Sequence, residues 1–416
     1  MSGPAKPYLT VDDLPLKGKT VLLRVDINAP IVEGRVAGKD RIQAAAATVD
    51  QLASKGARVV ILAHQGRKGD ADFTSLREHA TILDEFTKCD VSFVEDVAGQ
   101  LAIASIKALP TGKALMLENV RGLPDETRKG NSADHAQVGF VKSLAGVADY
   151  FVNDAFSAAH RSQASLVGFT ELMPSAAGLT MDRELTALAK AVDAPEPPAV
   201  YFLGGSKPED SINVMKANFS KGTLDVALLG GLVANLFLYA RGHELGKPSM
   251  ELLQKKGILE LLPQAEELLE AYDSQIITPD DVTLKDGHGN PKTIWVDDLP
   301  ENYPILDIGP ESIATYVDEI KAAGSLMMNG PAGLYEEKPY DNGTRAILKA
   351  FADSDAFSLL GGGHTITAIG EFGLDHKDFG YVSLAGGALM AYLTGEALPA
   401  VEALKQNKTR FGAKLN

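Results

Sequence analysis

Short apolar runs alternate with amphipathic stretches along almost the whole chain, and this rhythm restricts the fold more than any other feature. The stretch DRIQAAAATVDQLASKG repeats apolar residues at three-to-four spacing and closes at Gly56, which is typical of a helix. Strands that alternate with helices form βαβ units and build mainly parallel sheets. In the first half of the chain, the apolar runs predict strands at Thr20–Val25, Arg58–Ala63, Val91–Val94, Ala114–Leu117 and Asp149–Val152.

A proline-rich segment separates this half from a second one with the same rhythm. The segment TMDRELTALAKAVDAPEPP reads as a helix stopped by prolines, and 416 residues are too many for one core. We therefore predict an α/β fold of two doubly wound parallel-sheet domains joined by a helix hinge: an N-terminal domain at 1–178, a connector at 179–198 and a C-terminal domain at 199–395. The second half predicts strands at Val200–Leu203, Asp225–Leu229, Ile305–Ile308, Ser325–Met328, Phe357–Leu360 and Tyr381–Ser383.

Composition excludes several classes of protein. The net charge of −15 argues against nucleic-acid binding, which requires a basic surface. The first residues lack an apolar signal core and no run of eighteen apolar residues occurs, so we expect a cytoplasmic protein without a membrane span. The single cysteine, Cys89, excludes an internal disulfide and fits a reducing compartment. The absence of a Cys/His cluster makes a structural zinc site improbable.

Five glycine-rich turns follow apolar runs in the second half: VYFLGGSK, VALLGGLVAN, LMMNGPAGLYE, FSLLGGGHT and YVSLAGGA. A single turn of this kind is weak support for a site, because tight strand-to-helix connections favour glycine anyway. Five of them predict a pocket in which backbone N–H groups approach phosphate oxygens. None matches the P-loop pattern or the dinucleotide fingerprint. The sequence therefore predicts a nucleotide site of another type.

Cationic side chains follow several strands of the first half. In a doubly wound sheet, ligands bind beyond the carboxyl ends of the strands, so these residues should converge. Arginine donates bidentately to phosphate and carboxylate, and four arginines with two histidines predict an anion site. Each could instead be solvated or paired with an acid; Asp26, for instance, suits a substrate hydroxyl or an ion pair with Arg24 or Arg41. The residues that follow the strands are Asp26, Asn28, Arg41, His64, Arg67, Arg121, Asn153, Asp154, His160 and Arg161.

Taken together, eight strings resemble the phosphoglycerate kinase family in order and spacing: LRVDINAP, DRI, AHQGR, LENVR, VNDAFSAAHR, LGGSK, NGPAGLYE…GT and GGGHT. The resemblance extends from about Thr20 to the C-terminus. It implies reversible phosphoryl transfer between 1,3-bisphosphoglycerate and ADP, giving 3-phosphoglycerate and ATP, with Mg²⁺ bound to the nucleotide. It also implies that the tail, 396–416, folds back on the first domain.

The resemblance assigns residues to each ligand and to the transfer step. For transfer it implies Arg41, Lys207, Gly362 and Gly363, although Lys207 could be a solvated lysine at a helix start. For the triose it implies Asp26, Ile27, Asn28, Arg41, His64, Gln65, Gly66, Arg67, Arg121 and Arg161. For the nucleotide it implies Lys207, Asn329, Gly333, Glu336, Gly361, Gly362, Gly363, His364 and Thr365, although Glu336 could be a surface acid.

Two departures from the usual family pattern resemble its archaeal branch. Ser211 stands where a second lysine is usual, and His364 replaces an aspartate that ligates magnesium. The residues that bind the metal stay open, because an imidazole is a poor ligand for Mg²⁺ and Asp210 is only a possible neighbour. Two alternatives are an NAD-dependent dehydrogenase and a ligand-binding relative without activity. We expect small-molecule substrates, no nucleic acid or membrane partner, and a monomer or homodimer.

Overall fold

A computed structural model describes residues 6–415 of the chain, apart from the side chain of Lys414. The chain divides into two compact units, one formed by Met1–Leu185 with Ala397–Asn416 and the other by Thr186–Glu396. The predicted ranges 1–178 and 396–416 include residues 1–5 and 416, which lie outside the described residues. The division falls inside the helix Leu179–Leu188, which continues directly into a π-helical turn at Ala189–Asp193.

The first unit is built on a seven-stranded sheet in which all neighbouring strands are parallel. Val21 and Leu23 pack on one face with Ile42 and Val49, whereas Leu22 packs on the other face. Both faces are therefore covered, as expected for a parallel sheet. In spatial order, the strands are Leu9–Thr10, Ser175–Ala177, Tyr150–Asp154, Thr20–Val25, Arg58–Leu62, Ala114–Met116 and Val91–Phe93. A separate hairpin pairs Ile31–Val32 with Arg35–Val36.

The second unit contains a six-stranded parallel sheet and a small antiparallel sheet. In spatial order, the parallel strands are Ile276–Ile277, Val226–Leu229, Ala199–Leu203, Ser325–Asn329, Phe357–Gly361 and Tyr381–Val382. The antiparallel strands are Pro291–Trp295, Asp281–Lys285 and Ile305–Ile308. Ile305–Ile308 is a strand where the sequence predicts one, but its place among the parallel strands was wrong, because it pairs with Asp281–Lys285 instead.

Helices flank both parallel sheets, and these layers confirm the predicted α/β class. In the first unit, the helices are Asp40–Ser54, Arg77–Phe86, Gln100–Ala108, Ser132–Ala136, Gly139–Ala145, Ala164–Val167, Leu179–Leu188 and Pro399–Phe411. In the second, they are Pro208–Lys221, Gly231–Ala240, Lys247–Lys255, Leu262–Tyr272, Pro310–Ala322, Asn342–Asp353, Gly363–Glu371 and Gly387–Leu393. Within the described residues, no helix has the length and apolarity that crossing a membrane requires.

The C-terminal helix Pro399–Phe411 packs within the first unit. Its Asn407 is buried, and Asn407 Oδ1 accepts a hydrogen bond of 2.8 Å from the backbone N–H of Ser175. The amide of Asn407 donates to the carbonyls of Thr170 and Met173. This one side chain therefore satisfies three backbone groups next to the strand Ser175–Ala177, which ties the end of the chain to residues more than two hundred positions earlier.

Candidate active site

The carboxyl ends of four adjacent strands form the cationic edge of the first sheet: Tyr150–Asp154, Thr20–Val25, Arg58–Leu62 and Ala114–Met116. Apart from Arg58, every residue of the four strands is buried, so the sheet fixes the points from which the following loops begin. The residues after them include the cations that the sequence predicts for an anion site.

Arg41, in the first turn of the helix Asp40–Ser54, forms an ion pair with Asp26. Arg41 Nη1 donates to Asp26 Oδ2 at 2.8 Å, and the Ser157 hydroxyl donates to the same oxygen. The Asn28 N–H donates to Asp26 Oδ1 at 3.1 Å. Burial alone would raise the pKa of Asp26, but neighbouring cations and these hydrogen bonds bring it below its ordinary 3.8. Asp26 is therefore an anion that orients Arg41, as one of the alternative interpretations predicted.

His64 is almost completely buried beside the fully buried Arg24. Arg24 Nη2 lies 3.0 Å from His64 Nδ1 and can only donate, so Nδ1 accepts and the ring proton lies on Nε2. Burial, and then the positive charge of Arg24, lowers the pKa of His64 well below 6.5. His64 is therefore a neutral side chain that offers one N–H donor.

A buried carboxylate balances the charge of Arg24. Arg24 Nε donates to Ser165 Oγ at 2.8 Å, and Ser165 Oγ donates to Glu126 Oε1 at 2.7 Å. Both charged side chains are fully buried, which is tolerated only when charges are compensated and hydrogen-bonded. The chain Glu126–Ser165–Arg24–His64 thus fixes the orientation of the His64 imidazole.

The turn after the second strand is held by Gln65, whose side chain faces inward. Gln65 Oε1 accepts from the Ala29 N–H at 2.8 Å, and Gln65 Nε2 donates to the Ala29 carbonyl at 2.9 Å. The side chains of Gln65 and Ile27 are fully buried, and they position the loops of the site. Their assignment to the triose stays a prediction.

Gly66 has to be glycine. Its φ is +63°, and a Cβ would lie 2.6 Å from the backbone of Asp72 and Phe73. Its N–H donates to Asn28 Oδ1 at 2.8 Å, and its carbonyl accepts from Arg121 Nη1. This turn therefore joins two predicted site residues, Asn28 and Arg121, through its backbone.

Three arginines at this edge form no ion pair with an acid among residues 6–415. Arg67 and Arg161 are exposed, and Arg121 is half-buried. Burial, and then repulsion from Arg161 and Arg24, lowers the pKa of Arg121 to about 10. Arg161 Nε donates to His160 Nε2 at 3.2 Å, which holds the guanidinium in place. Cations that repel one another in this way create a strong attraction for an anion.

Asn153 and Asp154 end a site strand, but their side chains are buried and point elsewhere. Asn153 Nδ2 donates to the Leu166 carbonyl at 3.0 Å. Asp154 Oδ1 accepts from the N–H groups of Thr180 and Met181, and Asp154 Oδ2 accepts from the Thr48 hydroxyl at 2.6 Å. Asp154 therefore caps the helix Leu179–Leu188, and the expectation that both residues join the anion site was wrong.

In the second unit, three of the glycine-rich turns pack directly against one another. The Gly205 N–H donates to the Pro331 carbonyl at 2.8 Å, and the Gly231 N–H donates to the Ala332 carbonyl at 2.7 Å. A Cβ on Gly204 would lie 2.2 Å from the Pro331 oxygen, and one on Gly330 would lie 2.4 Å from the Gly204 oxygen. Close backbone packing therefore explains these glycines, independently of any ligand.

The turn Gly361–Gly363 begins the helix Gly363–Glu371. Gly362 has φ +90°, whereas a Cβ on Gly363 would meet no atom within 4 Å. The first N–H groups of a helix point outward without partners and carry partial positive charge, which suits phosphate. Thr365 is fully buried, and its hydroxyl accepts from the Gly330 N–H at 2.9 Å. The Thr365 side chain therefore fastens the turn, and its assignment to the nucleotide stays a prediction.

A cavity of about 350 Å³ lies beside these turns, within the second unit. Gly333, Glu336 and His364 line it, so three of the predicted nucleotide residues meet at one cavity. His364 Nδ1 lies 3.3 Å from Glu336 Oε1, and the His364 ring packs edge-on against Tyr335. Asn329 adjoins the turn: a Cβ on Gly362 would lie 2.5 Å from Asn329 Oδ1. The cavity is large enough for a small organic ligand.

Lys207 and Ser211 differ in exposure although both follow the LGGSK turn. Lys207 is exposed immediately before the helix Pro208–Lys221, with no side-chain hydrogen bond to any residue in the described range 6–415. Ser211 is buried inside that helix, and its hydroxyl has no partner among the residues described. The side chain of the residue that replaces the usual second lysine is therefore closed to solvent, whereas the Lys207 side chain is open to it.

The acidic side chains do not form a metal site on their own. Across the part of the chain that the structure describes, no three His, Cys, Asp or Glu side chains lie close enough to hold a metal ion. Mg²⁺ prefers six oxygen ligands and keeps several waters, so a protein with few ligands holds it together with substrate phosphates. The residues present fit a magnesium ion only when a nucleotide supplies most of the oxygens.

Sequence reasoning missed two polar residues of the cavity wall, Asn235 and Asp307. Asp307 Oδ2 accepts from the Gly343 N–H at 2.8 Å, and burial raises its pKa from 3.8 to about 7. Both residues interrupt otherwise apolar segments, GGLVANLFLYA and PILDIG. A buried polar residue in an apolar run needs a partner, and this signal could have marked both.

The comparisons with known proteins agree with the geometry of both units. A model of the phosphoglycerate kinase family matches residues 11–396. The phosphoglycerate kinase of Methanopyrus kandleri is 44% identical over 395 residues, covering 95% of this chain and 97% of that protein. That of Pyrococcus abyssi is 40% identical over 403 residues, covering 96% and 98%.

Solved structures agree as well. The crystal structure of phosphoglycerate kinase from Pyrococcus horikoshii has a TM-score of 0.86 at 37% identity, covering 97% of this chain and 100% of that chain. The phosphoglycerate kinase of Coxiella burnetii has a TM-score of 0.84 at 33% identity, covering 96% and 99%. With these matches along nearly its whole length, the chain belongs to the phosphoglycerate kinase family.

Proposed function

We propose that the first unit binds the phosphoglycerate and the second binds the nucleotide. The reaction of the family is the reversible transfer of a phosphoryl group between 1,3-bisphosphoglycerate and ADP, which gives 3-phosphoglycerate and ATP. The observation that carries the proposal is the cationic edge of the first sheet, where Arg67, Arg121 and Arg161 form no ion pair with an acid among the residues described. Membership of this family excludes the alternative of a dehydrogenase.

On the phosphoglycerate side, the three unbalanced arginines bind the phosphate group of the triose, and His64 Nε2 donates a further hydrogen bond. Guanidinium groups suit a phosphate because they donate in a planar fork and stay charged at neutral pH. The ion pair with Asp26 fixes the Arg41 guanidinium at this edge of the sheet, and we assign Arg41 to the reacting end of the substrate.

On the nucleotide side, the apolar part of the cavity takes the base. Glu336 accepts hydrogen bonds from the ribose hydroxyls. The N–H groups at Gly362 and Gly363 hold the phosphates at the start of a helix. The exposed Lys207 reaches the phosphoryl group in transfer. His364, beside Glu336, borders the same phosphates.

The transfer itself needs no protein base. An ionised oxygen of the ADP β-phosphate attacks the acyl phosphorus, the bond from phosphorus to the carboxyl oxygen breaks, and the carboxylate leaves. Catalysis then consists of alignment and neutralisation of charge on the equatorial oxygens, to which Arg41 and Lys207 contribute. Both ligands have to meet, so we propose closure of the two units about the connecting helix.

Three further features belong to this proposal. Magnesium enters as the nucleotide complex, where it neutralises phosphate charge. The substrates are small molecules, and the chain works as a monomer or a homodimer. It acts in the cytoplasm, in glycolysis or its reverse. A reaction between two phosphorylated small molecules needs neither a nucleic acid nor a membrane as a partner.

Calorimetric titration of each ligand onto two variants tests which unit binds which ligand. Arg161→Ala should weaken 3-phosphoglycerate binding by roughly tenfold or more and leave ADP binding unchanged, because one charged hydrogen bond contributes about 1.5–3 kcal/mol. Glu336→Gln should weaken ADP binding and leave 3-phosphoglycerate binding unchanged. Each variant is the control for the other. If Arg161→Ala weakened ADP binding alone, the assignment of ligands to units would be wrong.

A further inference from the structure

Asn235 is a buried polar residue that lines the cavity of the second unit. It lies in the apolar helix Gly231–Ala240 and is only 3% exposed. The backbone of a residue in mid-helix is engaged by the helix, so its amide is the polar group that it offers to the cavity. Within residues 6–415, the amide forms no hydrogen bond. The amide atoms of Asn235 are not among the fully buried, unpartnered side-chain atoms of the described residues, so both are open to a ligand in the cavity.

The strand order places Asn235 far from the phosphate turn. Its helix follows the strand Val226–Leu229, and the turn Gly361–Gly363 follows Phe357–Gly361. These strands are three positions apart in the sheet. At 4.7–4.9 Å per strand, the ends of these two strands are separated by roughly 14 Å. This separation is of the order of the length of an extended nucleoside diphosphate, so a ligand with phosphates at the turn can extend its base toward the helix that carries Asn235.

The surroundings of Asn235 suit a flat base. Leu252, Val282 and Ile305 line the same cavity. Asp307 lines it as well, but its oxygens already accept from the N–H groups of Ile308 and Gly343. Asn235 is thus a polar side chain of the cavity wall whose donor and acceptor both lack a partner among the residues described.

We infer that Asn235 binds the edge of the base that carries the 6-amino group and so selects 6-aminopurine nucleotides. The inference rests on the proposed function, in which this cavity takes the nucleotide. An asparagine amide pairs with adenine by accepting from the N6 amino group and donating to N7. Guanine and hypoxanthine present acceptors at both O6 and N7, so the amide oxygen would face an acceptor. Each such bidentate pair discriminates by roughly five- to a hundredfold.

The test compares the binding of ADP, inosine diphosphate and 7-deaza-ADP to wild type, Asn235→Leu and Asn235→Asp by calorimetry. Wild type should bind ADP roughly five- to a hundredfold more tightly than either analogue. Asn235→Leu should bind all three with similar affinity. Asn235→Asp should still accept from the amino group but no longer distinguish ADP from the 7-deaza analogue. Gln254→Leu, the same chemical change at an exposed position before Lys256, is the control and should behave as wild type.

The outcomes separate this inference from the proposed function. If wild type failed to bind ADP at all, the proposed function would fail. If wild type bound ADP, but Asn235→Leu kept the wild-type preference for ADP over inosine diphosphate, the role of Asn235 would be refuted. If Asn235→Leu did not fold, as its melting curve would show, Asn235→Asp decides: an unchanged ratio of ADP to 7-deaza-ADP affinity refutes the inference.

Discussion

Asp154 should make the stability of the first unit depend on pH in a specific way. Its carboxylate is 3% exposed and caps the helix Leu179–Leu188, while the Thr48 hydroxyl donates to its other oxygen. Burial raises the pKa of Asp154 from 3.8 to about 6, despite the hydrogen bonds that oppose this rise. We propose to replace it by Asn. Asn keeps an oxygen for the helix N–H groups and places an amide toward Thr48, but it cannot ionise.

The direction of this pH dependence follows from the linkage between proton binding and folding. Because the folded pKa is higher than the unfolded one, the folded state binds more protons between about pH 4 and pH 6. The contribution of Asp154 to stability is therefore largest at low pH and is lost as pH rises through this range. The difference between 3.8 and about 6 corresponds to about 3 kcal/mol, at 1.36 kcal/mol per pH unit. About 2 kcal/mol of this change falls between pH 4.5 and pH 7.5.

Urea unfolding, followed by circular dichroism from pH 4.5 to pH 7.5, provides the measurement. The stability of Asp154→Asn minus that of wild type should rise by about 2 kcal/mol over this range. The other carboxylates contribute the same pH dependence of stability to both proteins, so their contribution cancels in this difference. Asp125→Asn, a substitution at an exposed carboxylate, is the matched control and should show a constant difference. A constant difference for Asp154→Asn as well, or one that fell with rising pH, would refute the reasoning.

Three other predictions concern the reaction. Arg41→Ala should lower kcat by about a hundredfold, as loss of one transition-state donor does. Arg41→Lys should recover only part of this loss, because the planar fork of the guanidinium is missing. Steady-state kinetics measures both variants, and a near-normal kcat for Arg41→Ala would refute the prediction. His364→Ala should leave the dependence of activity on Mg²⁺ almost unchanged, and His364→Asp should be tolerated, since magnesium prefers oxygen ligands. A large loss of Mg²⁺ affinity in His364→Ala, without rescue by His364→Asp, would instead make the imidazole a metal ligand. Small-angle scattering should show the radius of gyration falling most with both ligands bound, and no fall in any ligand state would contradict closure.

Strand positions could be predicted from apolar runs, but the sheet to which each strand belongs could not always be. Thr20–Val25 is a strand over the predicted range, because the run TVLLRV is buried on both faces. Ile305–Ile308 shows the same kind of run, yet it joins an antiparallel sheet with Asp281–Lys285. The segment DVTLK alternates polar and apolar residues, a pattern of half-buried strands that could have indicated this partner.

For the site, the sequence indicates which residues follow the strands but not where their side chains point. Arg121 and Arg161 follow strands and carry unbalanced charge, whereas Asp154 follows a strand and turns inward to a helix. Gln65 lies in the same turn as His64, yet hydrogen bonds inside the protein occupy its amide. The charge balance of Arg24 depends on Glu126, about a hundred residues later, and such a pairing is decided only by the fold.

The central claim is that this chain transfers a phosphoryl group with a cation from each unit. The most direct measurement is an assay with 3-phosphoglycerate, ATP and Mg²⁺, coupled to detection of 1,3-bisphosphoglycerate, on wild type, Arg41→Ala and Lys207→Ala. The account predicts turnover by wild type and a loss of about a hundredfold or more in kcat for each variant. Absence of turnover in folded wild type that binds both substrates would contradict it and favour a binding protein without activity, as would variants that turn over as fast as wild type.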